Sequence, residues 1–357
     1  MTPEGTVADR IAINVWDEDQ LLPDIAWDGE DFLVCWADRR HSIDQVYCTR
    51  VLGNGTVPNP VGLRLPCQDD TLFQTAPVIA SNGTNHLLAW LSLRARGTVV
   101  QAVRLGLEGS PLDSVPLDLT PDSLFDDWVA VGCDGEDYLV TWSGQEPNGI
   151  GQDLSCIRIG SNGLPLDSAP TLVCRTPGGL SEPALAFLHD RWLVTWTDMR
   201  DRFDIYAARI GRDGNVLDPG GFPVCISDEV QREPDVAADS SRFIVVWSGF
   251  GPRDGFDIWA AAVDTSGTVG VAHPVPQPRP PGIRLRVRPN PARGPVTFES
   301  DPPAGRVEIR DASGRLVTVL DAGRRVWNRR DARGIIVGDG VYVARAGSSS
   351  RRFVILE

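Results

Sequence analysis

The chain has 357 residues and no lysine, so all 34 of its basic side chains other than histidine are arginines. A GC-rich genome explains this bias, and no function follows from it. The sequence also has no run of about 18 apolar residues, which excludes a membrane-spanning helix. Residues 1–9 contain neither a basic stretch nor an apolar segment, unlike a secretory signal peptide. Because later features indicate export, we expect the natural start to lie upstream.

Several catalytic and metal-binding patterns are absent as well. There is no C-x-x-C pair, no H-E-x-x-H, no G-x-S-x-G, no phosphate-binding loop and no dinucleotide fingerprint. We therefore expect no cofactor, no metal and no nucleotide-dependent chemistry. Of the four histidines, His86 takes the place of an aromatic residue and is predicted to be a hydrogen-bonded core residue.

The negative charge is concentrated in the first part of the chain. The net charge is −14, yet residues 283–357 contain 15 Arg against 8 Asp or Glu, so the residues before them carry −21. An acidic surface repels phosphate backbones. Nucleic acid is therefore not an expected partner.

Five tryptophans recur at intervals of 54, 52, 54 and 51 residues, each closing a short apolar run. They are Trp36, Trp90, Trp142, Trp196 and Trp247. A period of this size indicates stacked supersecondary units that bury their apolar faces against one another. The 36 Gly and 28 Pro point to many turns.

Each unit reads as four short antiparallel strands, which is the pattern of a β-propeller blade. Most units open with a proline, and turn pairs such as Asp28-Gly29 and Asn82-Gly83 predict a tight hairpin before the tryptophan strand. Asp127-Trp128 stands where the third unit would have its proline. We predict an all-β, five-bladed propeller over residues 1–271, with blade cores near residues 23–67, 77–120, 127–174, 183–226 and 234–271.

The start of the chain resembles the end of a repeat. Gly5 to Asp9, followed by Ile11 to Val15, matches the segment that begins at Gly214 to Asp218. We therefore expect residues 5–15 to supply the last strand of the fifth blade and close the ring, which leaves no free sheet edge. A ring of six or seven blades, with others lost upstream, is the alternative.

A different pattern follows the repeats. Residues 272–282 form a proline-rich linker, and residues 283–357 alternate apolar and polar positions in short runs, as in a small Ig-like β-sandwich. The motif residues of this segment, in chain order, are Pro289, Asn290, Pro291, Gly314, Arg315, Trp327, Gly340, Tyr342 and Arg352. Their order resembles the FlgD-like Ig domain and the related C-terminal sorting domain of type IX secretion. The resemblance implies export through secretion machinery, although the family commonly has Lys where this chain has Arg352.

Four of the seven cysteines occupy neighbouring strands of two blades. Cys48 with Cys67, and Cys156 with Cys174, are candidate cross-strand disulfides, which would suit an oxidising compartment. The alternative is that all seven cysteines are buried thiols.

Two sets of charged residues are candidates for function. Near the predicted axis, Asp24 and Asp235 stand among small apolar residues and are expected to cap their turns. The loops between second and third strands form a predicted rim that could bind a ligand. Its candidates are Asp38, Arg40, Arg94, Arg96, Glu146, Asp198, Arg200, Arg202, Arg253 and Asp254. The alternative is that the W-x-D-x-R loops are closed by internal salt bridges.

These features together predict an exported or cell-surface, non-catalytic propeller that acts as a binding or adhesion module. A glycan or a surface protein would be its partner, and its C-terminal domain would serve secretion or anchoring. One alternative is a carbohydrate-active propeller hydrolase with paired carboxylates near the axis. Another is a structural scaffold without a dedicated ligand.

Overall fold

The computed structural model describes residues 11–66, 72–121, 126–145, 151–251, 255–270, 284–301, 306–312, 314–321, 326–346 and 349–356. It divides into two compact units, Met1–Ala272 and His273–Glu357. All regular elements in the described residues are β-strands, paired antiparallel in named sheets, so the all-β prediction is confirmed. In these residues no helix is long and apolar enough to cross a bilayer. The predicted linker, residues 272–282, lies outside them.

Among its described residues, the first unit contains five four-stranded sheets, each formed by consecutive strands; each sheet is called a blade here. The first three blades are β1 (Gln20–Trp27), β2 (Phe32–Asp38), β3 (Gln45–Val51) and β4 (Leu63–Arg64); β5 (Phe73–Ser81), β6 (His86–Arg94), β7 (Gly97–Leu105) and β8 (Leu117–Asp118); and β9 (Asp126–Cys133), β10 (Tyr138–Gln145), β11 (Gln152–Ile159) and β12 (Thr171–Thr176). The last two blades are β13 (Leu180–Leu188), β14 (Arg191–Asp198), β15 (Asp204–Gly211) and β16 (Phe222–Cys225); and β17 (Gln231–Ala238), β18 (Phe243–Gly251), β19 (Gly255–Val263) and β20 (Val269–Gly270).

The predicted turn pairs form the hairpins between first and second strands. Gly29, Gly83 and Gly135 have φ values of 109°, 79° and 96°, a region that glycine enters without steric cost. In the first hairpin the Asp28 carboxylate accepts the backbone N–H groups of Glu30 and Asp31. The turn residues thus fix the register of each inner hairpin.

The core lies between blades, because each of the first four blades buries one sheet face on the next. One face of the second and third strands carries aliphatic and small residues and is called the forward face. It packs against the face of the next blade that carries the tryptophan, which is called the receiving face. In the first of these interfaces Leu33, Cys35, Val46 and Cys48 pack against Ile79, Leu88, Trp90 and Val103. A blade therefore completes its core only with a neighbour.

An arginine on the third strand fastens three blades to the next one. Each guanidinium pairs with an aspartate nine residues later in its own blade and also donates to a backbone oxygen of the following blade. The pairs are Arg104–Asp113 with Ser161 O, Arg158–Asp167 with Arg212 O, and Arg209–Asp218 with Thr265 O. We call this arrangement the arginine clasp.

The prediction that residues 5–15 complete the fifth blade is wrong for the described part, Ile11 to Val15. That blade has its own fourth strand, β20. Ile13 packs instead on the receiving face of the first blade, beside Val34 and Trp36. Asn14 Nδ2 donates to Pro60 O at 2.7 Å and Val61 O at 3.1 Å. Ile13 is partly buried on this face, and residues 5–10 lie outside the described residues.

The first strands of successive blades contact one another, from β1 to β5, β9, β13 and β17, and are called the inner strands. Within the described part of the first unit, β17 and β1 make no contact of comparable extent. Ile25 and Trp27 on β1 are exposed, as are Ile244 and Ile258 on the fifth blade. A seam therefore separates the fifth blade from the first.

The second unit consists of two sheets over one aromatic core. One sheet has the order β21 (Arg284–Arg288), β22 (Val296–Asp301) and β25 (Val326–Trp327); the other has the order β24 (Leu316–Asp321), β23 (Arg306–Asp311), β26 (Gly340–Ala346) and β27 (Ser349–Ile355). Between them lie Phe298, Trp327, Tyr342 and Phe353, with neighbouring ring centroids 5.6 to 5.9 Å apart.

Candidate functional site

Four inner strands are interrupted where they pass the tryptophan of their blade. The register shifts there by a β-bulge, and the bulged residue precedes a proline and has a positive φ of 49° to 56°. These residues are Leu22, Ala76, Glu182 and Glu233. In the third blade Val129 pairs directly with Trp142, and the register shifts at Asp127, beyond the pair of Ser143 with Trp128. A bulge turns its side chain away from the strand's regular alternation. The end of the inner strands that carries these four bulged residues and Asp127 is called the mouth.

The mouth is chemically asymmetric. The first two blades contribute Leu22 and Ala76, whereas the next three contribute Asp127, Glu182 and Glu233. In the third blade Val129 stands at the position of the prolines, and Trp128, whose side chain is exposed, stands at the position before it. One side of the mouth is therefore acidic with an aromatic side chain beside it, and the other side is apolar.

Asp127 is held at the junction of the third and fourth blades. Gln152 Nε2 donates to Asp127 Oδ2 at 3.0 Å, and Gln152 Oε1 accepts the N–H of Leu180 on β13 at 2.6 Å. Asp127 is exposed as a residue, but partial desolvation of its carboxyl raises the pKa, and the hydrogen bond from Gln152 opposes that rise. A carboxyl group in this setting favours its protonated form more than an ordinary aspartate does.

Glu182 and Glu233 have different surroundings. Glu182 Oε2 accepts the hydroxyl of Thr197 at 2.7 Å and the backbone N–H of Glu233 at 2.8 Å, so it joins the fourth blade to the fifth. Glu233 Oε2 accepts the Ser248 hydroxyl at 3.0 Å, and Arg232 Nε lies 3.6 Å from its other oxygen. Glu233 is exposed and Glu182 is half-buried.

Asp24 and Asp235 lie two residues farther along their inner strands. Asp24 accepts its neighbour's N–H at Ile25 and also the N–H of Ile79 in the second blade, both at 2.8 Å. It therefore connects two blades in addition to capping its own turn. Burial raises the pKa of Asp24, and the nearby charge of Asp235 adds to that rise. Asp235 is exposed at the seam and accepts the N–H of Val236.

Asp126, beside the mouth, carries a buried charge at neutral pH. Burial raises its pKa to about 6, while the Thr120 hydroxyl, 2.7 Å from Oδ2, lowers it. Between about pH 4 and pH 6 the folded chain holds a proton that the unfolded chain has lost, so stability falls as pH rises through this window. Above about pH 6 the free energy of unfolding stays at this lower value.

We expect Asp126→Asn to raise the free energy of unfolding at pH 7 by about 1 to 3 kcal/mol, because the amide oxygen still accepts from Thr120 without a charge. The gain should shrink toward pH 4, where Asp126 itself is protonated. Urea unfolding of both proteins at pH 4, 5, 6 and 7 measures this difference. An equal gain at every pH would contradict the assignment of the charge.

The two W-x-D-x-R loops of the predicted rim are closed internally. Asp38 accepts Trp36 Nε1 at 2.8 Å and Arg40 Nε at 2.8 Å, and Arg40 stacks on Tyr47 with 4.1 Å from guanidinium to ring centroid. Burial alone would raise the pKa of Asp38, but the hydrogen bonds from Arg40 and Trp36 lower it. In the fourth blade Asp198, Trp196 and Arg200 repeat the arrangement, with Arg200 over Tyr206 at 4.2 Å.

The other rim residues are not brought together into one site. Arg94 forms a bidentate ion pair with Asp118. Arg96 is exposed in the β6–β7 turn, and Arg202 pairs with exposed Asp228 at 2.9 Å. Glu146, Arg253 and Asp254 lie outside the described residues. In the part of the chain that the structure describes, no three His, Cys, Asp or Glu side chains are grouped to hold a metal.

The predicted disulfide between Cys156 and Cys174 is wrong. Both are free and buried, and the register places Cys156 opposite Thr171 and Cys174 opposite Leu154, so the two thiols do not face each other. Cys48 is also free and lies opposite Cys35, while Cys67 is outside the described residues.

His86 is buried as predicted, but among the described residues neither ring nitrogen has a hydrogen-bond partner. Burial lowers its pKa, and the charge of Asp28 partly offsets that. The expectation of a hydrogen-bonded core histidine is therefore wrong.

The carboxylates of the mouth were missed by the sequence analysis, which placed the axis at the residues after the prolines. The bulge brings the residue before each proline to the mouth. One signal was visible: catalysis or binding breaks repeat symmetry, and Asp127-Trp128 breaks it in the third unit.

No protein-family model and no curated protein matches the chain. Several solved structures are similar. An α-L-arabinofuranosidase from Lactobacillus brevis shares 12% identity, with a TM-score of 0.45 over 72% of this chain and 95% of that one. An endo-arabinase from Bacteroides thetaiotaomicron shares 14%, with 0.45 over 71% and 98%. A GH32 β-fructofuranosidase from Bombyx mori shares 8%, with 0.40 over 94% and 85%.

These findings correct two expectations, that the propeller is a non-catalytic binding or adhesion module and that the protein is not an enzyme. The similar solved structures are glycoside hydrolases, which stands against both. Identities of 8 to 14% and TM-scores below 0.5 transfer no activity or substrate to this chain.

Proposed function

We propose that the first unit is a carbohydrate-active hydrolase whose reactive carboxyl groups lie at the mouth. Asp127 acts as the general acid, Glu233 as the second carboxyl group, and Trp128 as the surface on which a sugar ring stacks. The observation that supports this most is the break in repeat symmetry, because the fourth and fifth blades place Glu182 and Glu233 where the first two have Leu22 and Ala76, and the third blade places Trp128 there with Asp127 beside it.

The roles follow from the surroundings of each group. Hydrolysis of a glycosidic bond uses one carboxylic acid that protonates the leaving oxygen and one carboxylate that acts as nucleophile or activates water. The raised pKa of Asp127 favours the protonated form, as the acid requires. Glu233 is exposed, and Arg232 Nε lies 3.6 Å from its Oε1.

Glu182 serves as a positioning residue in this proposal. Its carboxylate accepts the backbone N–H of Glu233 and the Thr197 hydroxyl, and so fixes the bulge from which Glu233 projects. Trp128 supplies an exposed apolar face, and sugar rings have C–H faces that pack on aromatic side chains. The apolar Leu22 lies on the other side of the mouth.

The test is hydrolysis of nitrophenyl glycosides and plant polysaccharides by the purified chain, with Asp127→Asn as the first variant. We expect Asp127→Asn to lower kcat/KM at least about 100-fold, the typical contribution of a general acid. Glu30→Gln, an exposed carboxylate in the β1–β2 turn, is the matched control and should keep full activity.

Two results would overturn the proposal. One is the absence of hydrolysis across both substrate sets. The other is an Asp127→Asn protein that folds and retains full activity, which would place the reaction elsewhere.

We also propose the finer architecture: the first unit is a five-bladed propeller and the second an Ig-like domain that directs export through secretion machinery. Supporting contacts exist in the second unit. Val354 N donates to Asn290 Oδ1 at 3.0 Å, so Asn290 ties the start of the unit to its last strand, and Trp327 packs on Tyr342. Secretion of the full chain by a host that has type IX machinery is the measurement that tests this proposal.

A further inference from the structure

The first and fourth blades each bury a carboxylate beside their tryptophan. In the first blade Asp38 accepts both Trp36 Nε1 and Arg40 Nε at 2.8 Å, and Asp198 makes the same contacts in the fourth blade. The second blade has the same spacing with serine in place of aspartate. Its residues are Trp90, Ser92 and Arg94. Serine is shorter than aspartate and carries no charge, so this blade has the donors of the motif without their acceptor.

The donors of the second blade are buried. Trp90 and Ser92 are both 0% exposed, and among the described residues neither the indole N–H nor the hydroxyl has a hydrogen-bond partner. The Nε of Arg94 is also buried without a partner in that part of the chain. Leaving buried donors unpaired costs stability, so a group of them in one place requires an explanation.

Gln74 adds a donor from the neighbouring strand. It is 1% exposed and lies directly opposite Ser92 in the register of β5 and β6. Its Oε1 accepts the N–H of Val46 in the first blade at 3.3 Å, which fixes the amide, because a flipped amide would bring two donors together. Nε2 is thus a donor, again without a partner among the described residues. At the same register position in the fifth blade, Gln231 accepts Trp247 Nε1 at 2.7 Å, so a glutamine here reaches the indole.

These side chains share one side of the sheet. Residues two apart on a strand point to the same face, and so do residues directly opposite each other on paired strands. Trp90, Ser92 and Gln74 therefore all belong to the receiving face of the second blade, where Trp90 packs against the first blade. A water molecule there would have two hydrogen bonds of its own to donate, and within this set only Ser92 Oγ could accept one. An anion accepts from every donor and donates nothing.

We propose that the second blade binds a halide ion, chloride in solution, at the position that the Asp38 carboxylate takes in the first blade. The ion accepts from Trp90 Nε1, Gln74 Nε2 and the Ser92 hydroxyl, with Arg94 Nε as the charged donor. Arg94 also pairs with Asp118, but that carboxylate is partly exposed, and solvent weakens such a pair. The ion completes the contact between the first two blades, as the aspartate does within its own motif.

The first experiment is thermal unfolding of the full chain in sodium chloride and in sodium gluconate of equal ionic strength, followed by tryptophan fluorescence. Gluconate is too large for a buried site between two sheets. Because an ion held only by the folded chain stabilises it, the melting temperature should be at least about 2 °C higher in chloride. Ser92→Asp supplies the carboxylate covalently and should abolish this difference.

Ser143→Ala is the matched control. The Ser143 hydroxyl is likewise buried without a partner among the described residues, but it lies in the third blade. This variant should keep the full chloride effect. If Ser92→Asp fails to fold, as judged by circular dichroism, Trp90→Phe takes its place, because it removes one donor and should reduce the chloride effect by at least half.

The second experiment locates the ion. Bromide replaces chloride in such a site and gives an anomalous X-ray signal, so crystals of the full chain soaked in sodium bromide should show a peak within hydrogen-bonding distance of Trp90 Nε1 and Gln74 Nε2. Absence of that peak overturns the proposal, as does an equal wild-type melting temperature in the two salts. An undiminished chloride effect in a folded Ser92→Asp or Trp90→Phe protein rejects the site as well.

Discussion

Replacing Asp198 with alanine is expected to lower the free energy of unfolding of the first unit by about 3 to 5 kcal/mol. The side chain of Asp198 is fully buried and accepts three kinds of donor: Trp196 Nε1 at 2.9 Å, Arg200 Nε at 2.8 Å and the Arg200 backbone N–H at 3.0 Å. Alanine leaves the indole N–H and the guanidinium without their acceptor. Unpaired buried donors and an uncompensated charge account for the size of the loss.

Urea unfolding followed by circular dichroism measures this loss. Asp228→Ala is the matched control, because Asp228 also pairs with an arginine, Arg202, but its side chain is 96% exposed. That variant should change stability by less than about 1 kcal/mol, as exposed ion pairs do. Equal effects of the two variants would show that the loop around Asp198 is not held by its buried carboxylate.

The Asp198 loop also shows which contacts could be predicted from the sequence and which could not. The W-x-D-x-R spacing led to the hypothesis of internal salt bridges, and Asp38 and Asp198 do pair with Arg40 and Arg200. The indole N–H as a second donor was not predicted. It could have been, because residues two apart on a strand point to the same sheet face, so the Trp and Asp side chains of the motif lie side by side.

The strands and the hairpin turns were predictable because their signals are local. A tryptophan-terminated apolar run and an Asp-Gly or Asn-Gly pair specify a hairpin within about 15 residues. The position of Ile11 to Val15 was not predictable in this way. Those residues resemble a fourth strand, but Ile13 packs, partly buried, beside Val34 and Trp36, which are distant in sequence.

The mouth was missed for a related reason. A bulge adds one residue to one strand, so strict alternation assigns every side chain beyond it to the wrong face. Glu182 and Glu233 therefore read as residues outside the inner strands, although they belong to β13 and β17. The cysteine prediction failed through register too, because Cys156 and Cys174 lie on paired strands but face other residues.

The second large effect is expected in the second unit, where Trp327→Ala should cost about 3 to 5 kcal/mol of unfolding free energy. Trp327 is 2% exposed, packs on Tyr342 and Phe353, and donates from Nε1 to Arg330 O at 2.6 Å. Alanine leaves a cavity between the two sheets and removes that hydrogen bond. In so small a unit, a loss of this size is comparable with the whole stability.

The measurement is hydrogen exchange across the full chain, which reports the two units separately. Backbone amides of β23 and β26 should exchange much faster in Trp327→Ala, while those of β14 keep wild-type protection, because each unit has its own core. Val326→Ala is the control, since Val326 is exposed beside Trp327 and its truncation should change little. In a host with type IX machinery, the proposed sorting role further requires that Trp327→Ala reduce export and that Val326→Ala not do so. Normal export of a chain whose second unit has lost its protection would show that this unit is not the signal.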